Sequence, residues 1–369
     1  MKLSLFLIIL VGPCCFMTNQ LFQYCFINEA KSWDEAQEYC REKHSDLATV
    51  ISMADMERLS QDLGHKKAWI GLYRKAGGSR MWQWSQPEVQ FNESQSDWDE
   101  HEHEPNDSGT ENCGTVRKTL KWADLSCNRT TPFICYDERN SSHVLYVKDK
   151  KNWTDAQNFC RNRHTDLISG AEQMKKLNVV ETELLFPSVS NNDLIFIGLF
   201  RDAWQWSDGS RSSFRFWNLN YDDEKSVNSC VMLNEKGRWN SENCEETHAF
   251  VCHDDHVILI NESRTWEEAL YYCRHHYHDL VTITNLDDQR WVQEKTKNAT
   301  TPYVWTGLRY TCTLGFWFWV SDEVVRYKNW ASPEQVNECD MSGAMETGGE
   351  HKWVKKHDEE KFNFFCSTS

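Results

Sequence analysis

The sequence predicts three consecutive copies of one helix-then-strand unit, each closed by disulfides, and three observations carry that prediction. A helix-opening phrase recurs as "SWDEAQEYC", "NWTDAQNFC" and "TWEEALYYC", ending at Cys40, Cys160 and Cys273. Aromatic-rich phrases follow each copy in the same order. From that cysteine to a closing one, Cys135, Cys252 or Cys366, the spacing is 95, 92 and 93 residues. Self-similarity at a fixed period marks tandem repetition.

Each opening phrase reads as a short amphipathic helix. Ser32, Asn152 and Thr265 are N-cap residue types, and Glu35, Asp155 and Glu268 follow three positions later, where an acid suits the helix N-terminus. Trp33, Ala36 and Cys40 then fall at i, i+3 and i+7 on one face, as do Trp153, Ala156 and Cys160, and Trp266, Ala269 and Cys273. Downstream, Asp-Leu recurs at 46, 166 and 279. "WIGL", "FIGL" and "WTGL" begin at Trp69, Phe196 and Trp305, and Trp-x-Trp recurs at Trp82, Trp204 and Trp317. Such alternating runs are strands with one buried face.

The cysteines read as a framework of staples. Constant outer spacing pairs Cys40 with Cys135, Cys160 with Cys252 and Cys273 with Cys366. An inner pair, Cys113 with Cys127 and Cys230 with Cys244, spans 14 residues in each of the first two units. The third unit departs: Cys339 takes the first inner position, Asp358 stands where its mate is expected, and Cys312 is the simplest partner for Cys339. Cys25 is then an odd thiol, open either to burial as a free cysteine or to a bridge between chains that makes a disulfide-linked oligomer.

Composition narrows the class. With 40 Lys and Arg against 56 Asp and Glu, the net charge of −16 excludes a nucleic-acid footprint. "MKLSLFLIILVGPCC" has the form of a secretory leader, too short to span a bilayer. Residues 1–18 are therefore assigned to a leader that would carry away Cys14 and Cys15. Units are assigned to 20–137, 141–254 and 255–369. The expected product is secreted, without a membrane span, which suits a disulfide framework. Asn92, Asn106, Asn128, Asn140, Asn152, Asn261 and Asn298 stand in Asn-x-Ser/Thr, the glycan acceptor pattern.

The outer cysteines, "WIGL", "WQWS", Glu104-Pro105-Asn106 and "WADLSC" together resemble the C-type lectin-like domain, over nearly the whole chain in three copies. The tandem layout is similar to mannose receptor-type lectins in soluble form. The resemblance implies an α+β domain with two helices, a lower sheet joined to the termini and upper loops that hold the ligand site. It also implies that most of the quoted aromatics are core.

The same resemblance carries Glu104, Asn106, Glu111 and Asp124, around "EHEHEPNDSGTENC", onto the family's calcium and sugar positions. Calcium wants six to eight oxygens, and these side chains with two sugar hydroxyls supply about seven. Pro105 is expected cis, and Glu-Pro-Asn goes with mannose-, N-acetylglucosamine- or fucose-type sugars. Two features count against the cage: Ala123 stands where the family has an asparagine, and Asn106 is itself a sequon. His101 and His103 do not make a zinc site, which needs three or four converging ligands. Unit two offers Asn220, Asp222 and Asp223 without the motif, and unit three offers Pro333 and Glu334.

The reading is a secreted, calcium-dependent recognition protein for glycans or glycoproteins, with its sugar site in unit one. The alternative is a protein-binding or structural member with a degenerate calcium site. No phosphate loop, nucleophile elbow or zincin helix points to an enzyme.

Overall fold

The computed structural model describes residues 14–16, 21–64, 66–74, 78–87, 89–106, 109–138, 143–177, 190–221, 229–333 and 338–368. The three opening helices form where their caps place them: Trp33–Lys43, Trp153–Arg163 and Trp266–His276. Ser32, Asn152 and Thr265 each accept the backbone N–H three residues on, and Glu35 and Glu268 complete capping boxes. Their buried faces hold the tryptophan, alanine and cysteine of the repeat. An Arg–Asp pair ties each helix to the strand after it: Arg41 to Asp46, Arg161 to Asp166 and Arg274 to Asp279.

Unit three folds on itself. Its seven-stranded sheet runs in the order Val257–Arg264, Phe362–Ser367, Tyr303–Thr311, Met341–Glu346, Trp353–His357. Strand Phe316–Trp319 turns back on Tyr303–Thr311 through residues 312–315, with Gly315 at a φ of +71°.

Units one and two instead exchange halves. In the first sheet, His248–Asp255 of unit two lies between Phe22–Lys31 and Ala68–Arg74 of unit one, and Cys230–Leu233 follows. In the second sheet, Ile195–Asp202 of unit two lies between Thr131–Tyr136 and Cys113–Val116 of unit one. The outer staples follow the exchange: Cys40 joins Cys252 and Cys135 joins Cys160. The expected pairs Cys40–Cys135 and Cys160–Cys252 are corrected accordingly.

Two physical features account for this. Unit two leaves one residue, Ala203, between strand Ile195–Asp202 and strand Trp204–Trp206. A hairpin commonly needs two or more loop residues, so Trp204–Trp206 cannot fold back on its own strand. It crosses to pair with Ala68–Arg74, Trp206 opposite Leu72, and Met81–Trp84 takes the vacated edge of Ile195–Asp202. Short hinges of this kind favour swapping. The halves are also interchangeable. Trp33 N–H donates to the Cys244 carbonyl and Trp153 N–H to the Cys127 carbonyl, the same contact that Trp266 makes with Asp358 inside unit three. Spacing along the chain cannot reveal which of two equivalent mates a cysteine takes.

The bridges Cys113–Cys127, Cys230–Cys244, Cys273–Cys366 and Cys312–Cys339 are present. Strand register corrects the reading of Cys339, however. Cys113 faces Phe200 and Cys230 faces Tyr73, while the residue facing Arg309 is Ser342. Ser342 therefore holds the first inner position. Its hydroxyl donates to Asp358 at 2.6 Å, and Arg309 donates to the same carboxylate at 3.0 Å. A hydrogen-bonded ion pair replaces the inner bridge of the other units. The double substitution Ser342→Cys, Asp358→Cys is expected to close that bridge and add about 3 kcal/mol on the chain-entropy estimate. A rise in melting temperature that reduction abolishes checks it.

Cys25 is disulfide-bonded, so it is neither a free thiol nor a bridge to a second chain. Strand Cys14–Phe16 pairs with Phe22–Lys31, Cys15 opposite Cys25. The end of the segment assigned to a leader thus lies in the sheet. Unit three docks on the first sheet through apolar contact: Trp291 stacks on Phe22 at 4.6 Å and donates to Asp255, and Arg58 pairs with Asp287 at 2.6 Å. Among the described residues no helix is long and apolar enough to cross a membrane.

Candidate cation and sugar site

The loop that carries Glu104 is pinned to strand Trp122–Leu125 at its base. Trp98 bridges Trp122, Asp99 N–H donates to the Trp122 carbonyl, and Trp122 N–H donates to Asp97. Trp217 with Trp239 and Trp330 with Trp353 repeat that bridge in the other units. From this anchor a single 3-10 turn, Glu100–Glu102, leads to His103 in the left-handed region, and Glu104 N–H returns to the Asp99 carbonyl. The Glu104–Pro105 peptide is cis.

The turn aims Glu104 inward. Its side chain is 8 % exposed and that of Asp124 is fully buried. Asn106 N–H donates to Asp124 Oδ1 at 3.1 Å. Burial first, and then the hydrogen bond and charge of Asp124, push the Glu104 carboxyl up to about 7. Its Oε2 is buried without a hydrogen-bond partner. Two carboxyl groups in contact, one with an orphaned oxygen, are a donor set that suits a hard divalent cation.

Two arginines share this charge. Arg117 lies 3.8 Å from Glu104 and 3.4 Å from Asp99. Arg201 comes from unit two. It donates to Asn112 Oδ1 at 3.2 Å and the Glu111 carbonyl at 3.0 Å, and its Nη2 lies 3.4 Å from Asp124 Oδ2. Trp82 stacks beneath its guanidinium at 4.8 Å. Sequence reasoning missed both. The position of Arg201, three past Gly198 in "FIGLFR", matches Arg74 in "WIGLYR", and without the exchange Arg74 is the natural candidate.

Of the four expected residues, Glu104, Asn106 and Asp124 come together, Asn106 through its backbone. Glu111 is next to them by its carbonyl, but its carboxylate does not cluster with the other two. Among the described residues, the grouping of three His, Cys, Asp or Glu ligand atoms is Cys25, His44 and Asp254, and the Cys25 sulfur is committed to a disulfide. His101 and His103 are exposed and join no such group. Ala123 is buried, its carbonyl taken by the Thr115 hydroxyl.

Strand register identifies what the other units put in this place. Asp124 pairs with Gly114, Ser241 with Val231 and Lys355 with Gly343, each one step past the inner position. Unit two thus offers a serine, beside an Asn240 whose Oδ1 already holds the amides of Asn218 and Asn234. Unit three offers an ammonium, which donates to the Pro333 carbonyl at 2.8 Å. Asn220 of unit two lies in an exposed turn. Asp222, Asp223 and Glu334 lie outside the described residues. Of the sequons, Asn92, Asn106, Asn128, Asn261 and Asn298 are exposed, Asn152 caps its helix, and Asn140 lies outside the described residues.

Glu104 and Asp55 set a pH dependence for the metal-free protein. Burial, then the charge of Asp287, lifts Asp55 to about 6. Both carboxyls hold a proton more tightly folded than unfolded, so lowering the pH from 8 to about 6 adds stability instead of removing it. Relative to wild type, Glu104→Gln in chelator is expected to gain less melting temperature, or lose more, on passing from pH 8 to pH 6.

The model of the lectin C-type domain matches residues 29–137, 149–254 and 262–368. The chain is 25 % identical to human C-type mannose receptor 2 over 373 residues, 85 % of this chain and 24 % of that protein. It is 25 % identical to human lymphocyte antigen 75 over 401 residues, 92 % of this chain and 23 % of that protein. It is 23 % identical to the bovine secretory phospholipase A2 receptor, across 81 % of this chain and 24 % of that protein. The chain thus spans about a quarter of the length of these curated relatives. It belongs to the C-type lectin domain family, with three such domains in tandem.

Proposed function

We propose that the chain is a secreted recognition protein that binds a mannose-, N-acetylglucosamine- or fucose-type sugar through calcium at the Glu104 site. The observation that carries this reading is the Glu104 loop, which presents an unpartnered Glu104 oxygen beside the buried Asp124 carboxylate. Glu104, Asn106 and Asp124 would hold the ion, with Glu111 drawn in from the adjoining loop. A bound calcium supplies open coordination positions for a pair of sugar hydroxyls. The Glu104 carboxylate accepts from one hydroxyl and the Asn106 amide donates to another. Asp124, tied to the Asn106 backbone and to Arg201, orients that loop.

Ala123, which removes one hydroxyl partner, and the arginines, which already offset part of the charge, favour a second reading. In it the loops recognise a polypeptide and the ion is incidental. Domain boundaries at 20–137, 141–254 and 255–369 belong to the proposal as sequence units; physically, units one and two act as one pair. Retention of the full chain on mannan or N-acetylglucosamine resin in calcium, with release by chelator, is the expected result. Passage through both resins, or elution indifferent to chelator, would transfer the assignment to protein recognition.

A further inference from the structure

A cleft of about 1010 Å³ lies where the two exchanged bodies and unit three converge. Met53 and Phe214 reach it from the first body, Gln86, Phe91 and Arg161 from the second, and Gln293, Tyr327 and Asn329 from unit three. Its volume is at the top of the range for small-ligand sites, so it suits a chain of several sugars or residues better than one.

Donors and acceptors of both kinds in the lining suit a hydroxyl-rich occupant. Charges of both signs line the cleft, Glu138, Glu172, Arg290, Glu350 and Lys352 among them, and several are engaged within the protein. Arg161 is spent on Asp166, Ser85 and the Arg215 carbonyl, and Lys176 donates to the Tyr136 hydroxyl and lies over that ring. Beside these stand amides, among them Gln90, Gln95 and Gln293, and the aromatic side chains of Phe91 and Tyr327. Amides donate and accept in equal measure, and aromatic faces cover the apolar faces of sugar rings. Asn92, exposed and on the wall of this cleft, is the acceptor of the sequon Asn92-Glu93-Ser94. Its Oδ1 is held by the Ser94 N–H at 3.1 Å and the Ser94 hydroxyl at 2.9 Å. A glycan attached there needs no linker to reach the cleft.

We propose that this cleft is a carbohydrate-contacting site occupied by the chain's own glycan on Asn92, which packs between the three bodies and holds them together. The site is separate from the Glu104 loop, and the proposal holds whether or not that loop binds an external sugar.

The test uses the full chain secreted from a glycosylating eukaryotic host. Peptide mass spectrometry is expected to find Asn92 occupied. Peptide N-glycanase acting on the native protein is expected to release that glycan about tenfold more slowly than those on other occupied sequons, because release requires opening of the cleft. Asn92→Gln and Ser94→Ala should both raise amide hydrogen exchange in segments 170–174 and 349–352, and Ser94→Thr, which keeps the sequon, should not. An unoccupied Asn92 overturns the proposal, as does native release at the rate of the other sites, or unchanged exchange in both glycan-free variants. Free N-glycan core pentasaccharide is the probe for an external source. If it restores protection to a wild-type chain that leaves Asn92 bare, the cleft serves a ligand in solution and the assignment to Asn92 falls.

Discussion

Glu104→Gln is expected to lower the calcium affinity of the full chain by about a hundredfold, because it removes one of the few carboxylates from a site that needs charged oxygen donors. The substitution is nearly isosteric, and its amide oxygen can still face the ion, so the fold should persist. Asp124→Ala should abolish binding, with a second consequence. Asp124 shares Arg201 with Asn112 and the Glu111 carbonyl, so its removal leaves a buried guanidinium short of its counter-charge. Breaking such a pair costs about 3–5 kcal/mol. The two variants thus separate ligation from scaffold: calorimetry with calcium reads the first, and the melting temperature in chelator reads the second. A Glu104→Gln chain that binds calcium within about twofold of wild type would place the ion elsewhere.

Lengthening the single-residue link between Asp202 and Trp204 by about five residues is expected to undo the exchange, since that length allows a hairpin. Unit three supplies the precedent, folding back through residues 312–315. With the loop restored, Trp204–Trp206 can return to Ile195–Asp202, and both outer bridges should move inside their own units. Arg74 would then take the place of Arg201 behind Asp124. Insertion of the same residues between Arg80 and Met81 should leave the bridges as they are. An identical bridge pattern in both insertion variants would show that something other than loop length sets the pairing.

The local structure of each repeat was legible from residues alone. Three N-caps, the buried Trp-Ala-Cys faces and the aromatic strands stand where periodicity and capping chemistry place them. The cis peptide at Pro105 and the closeness of Glu104 to Asp124 followed from the family resemblance. What could not be read was which copy each half joins. Two units with interchangeable halves present identical local signals in either arrangement, and the only clue was the missing loop around Ala203. Arg201 was invisible for the same reason. Cys339 misled because it sits three residues before the position that Ser342 fills, and a chain-distance argument cannot resolve a shift that strand register settles.

Non-reducing proteolysis of the unaltered chain, with the linked peptides identified by mass spectrometry, tests the shared construction of the site most directly. A Cys40 peptide joined to Cys252 and a Cys135 peptide joined to Cys160 is the predicted map. Recovery of Cys40 with Cys135 and Cys160 with Cys252 would contradict it, and would return the loop bearing Glu104 to a free-standing first domain.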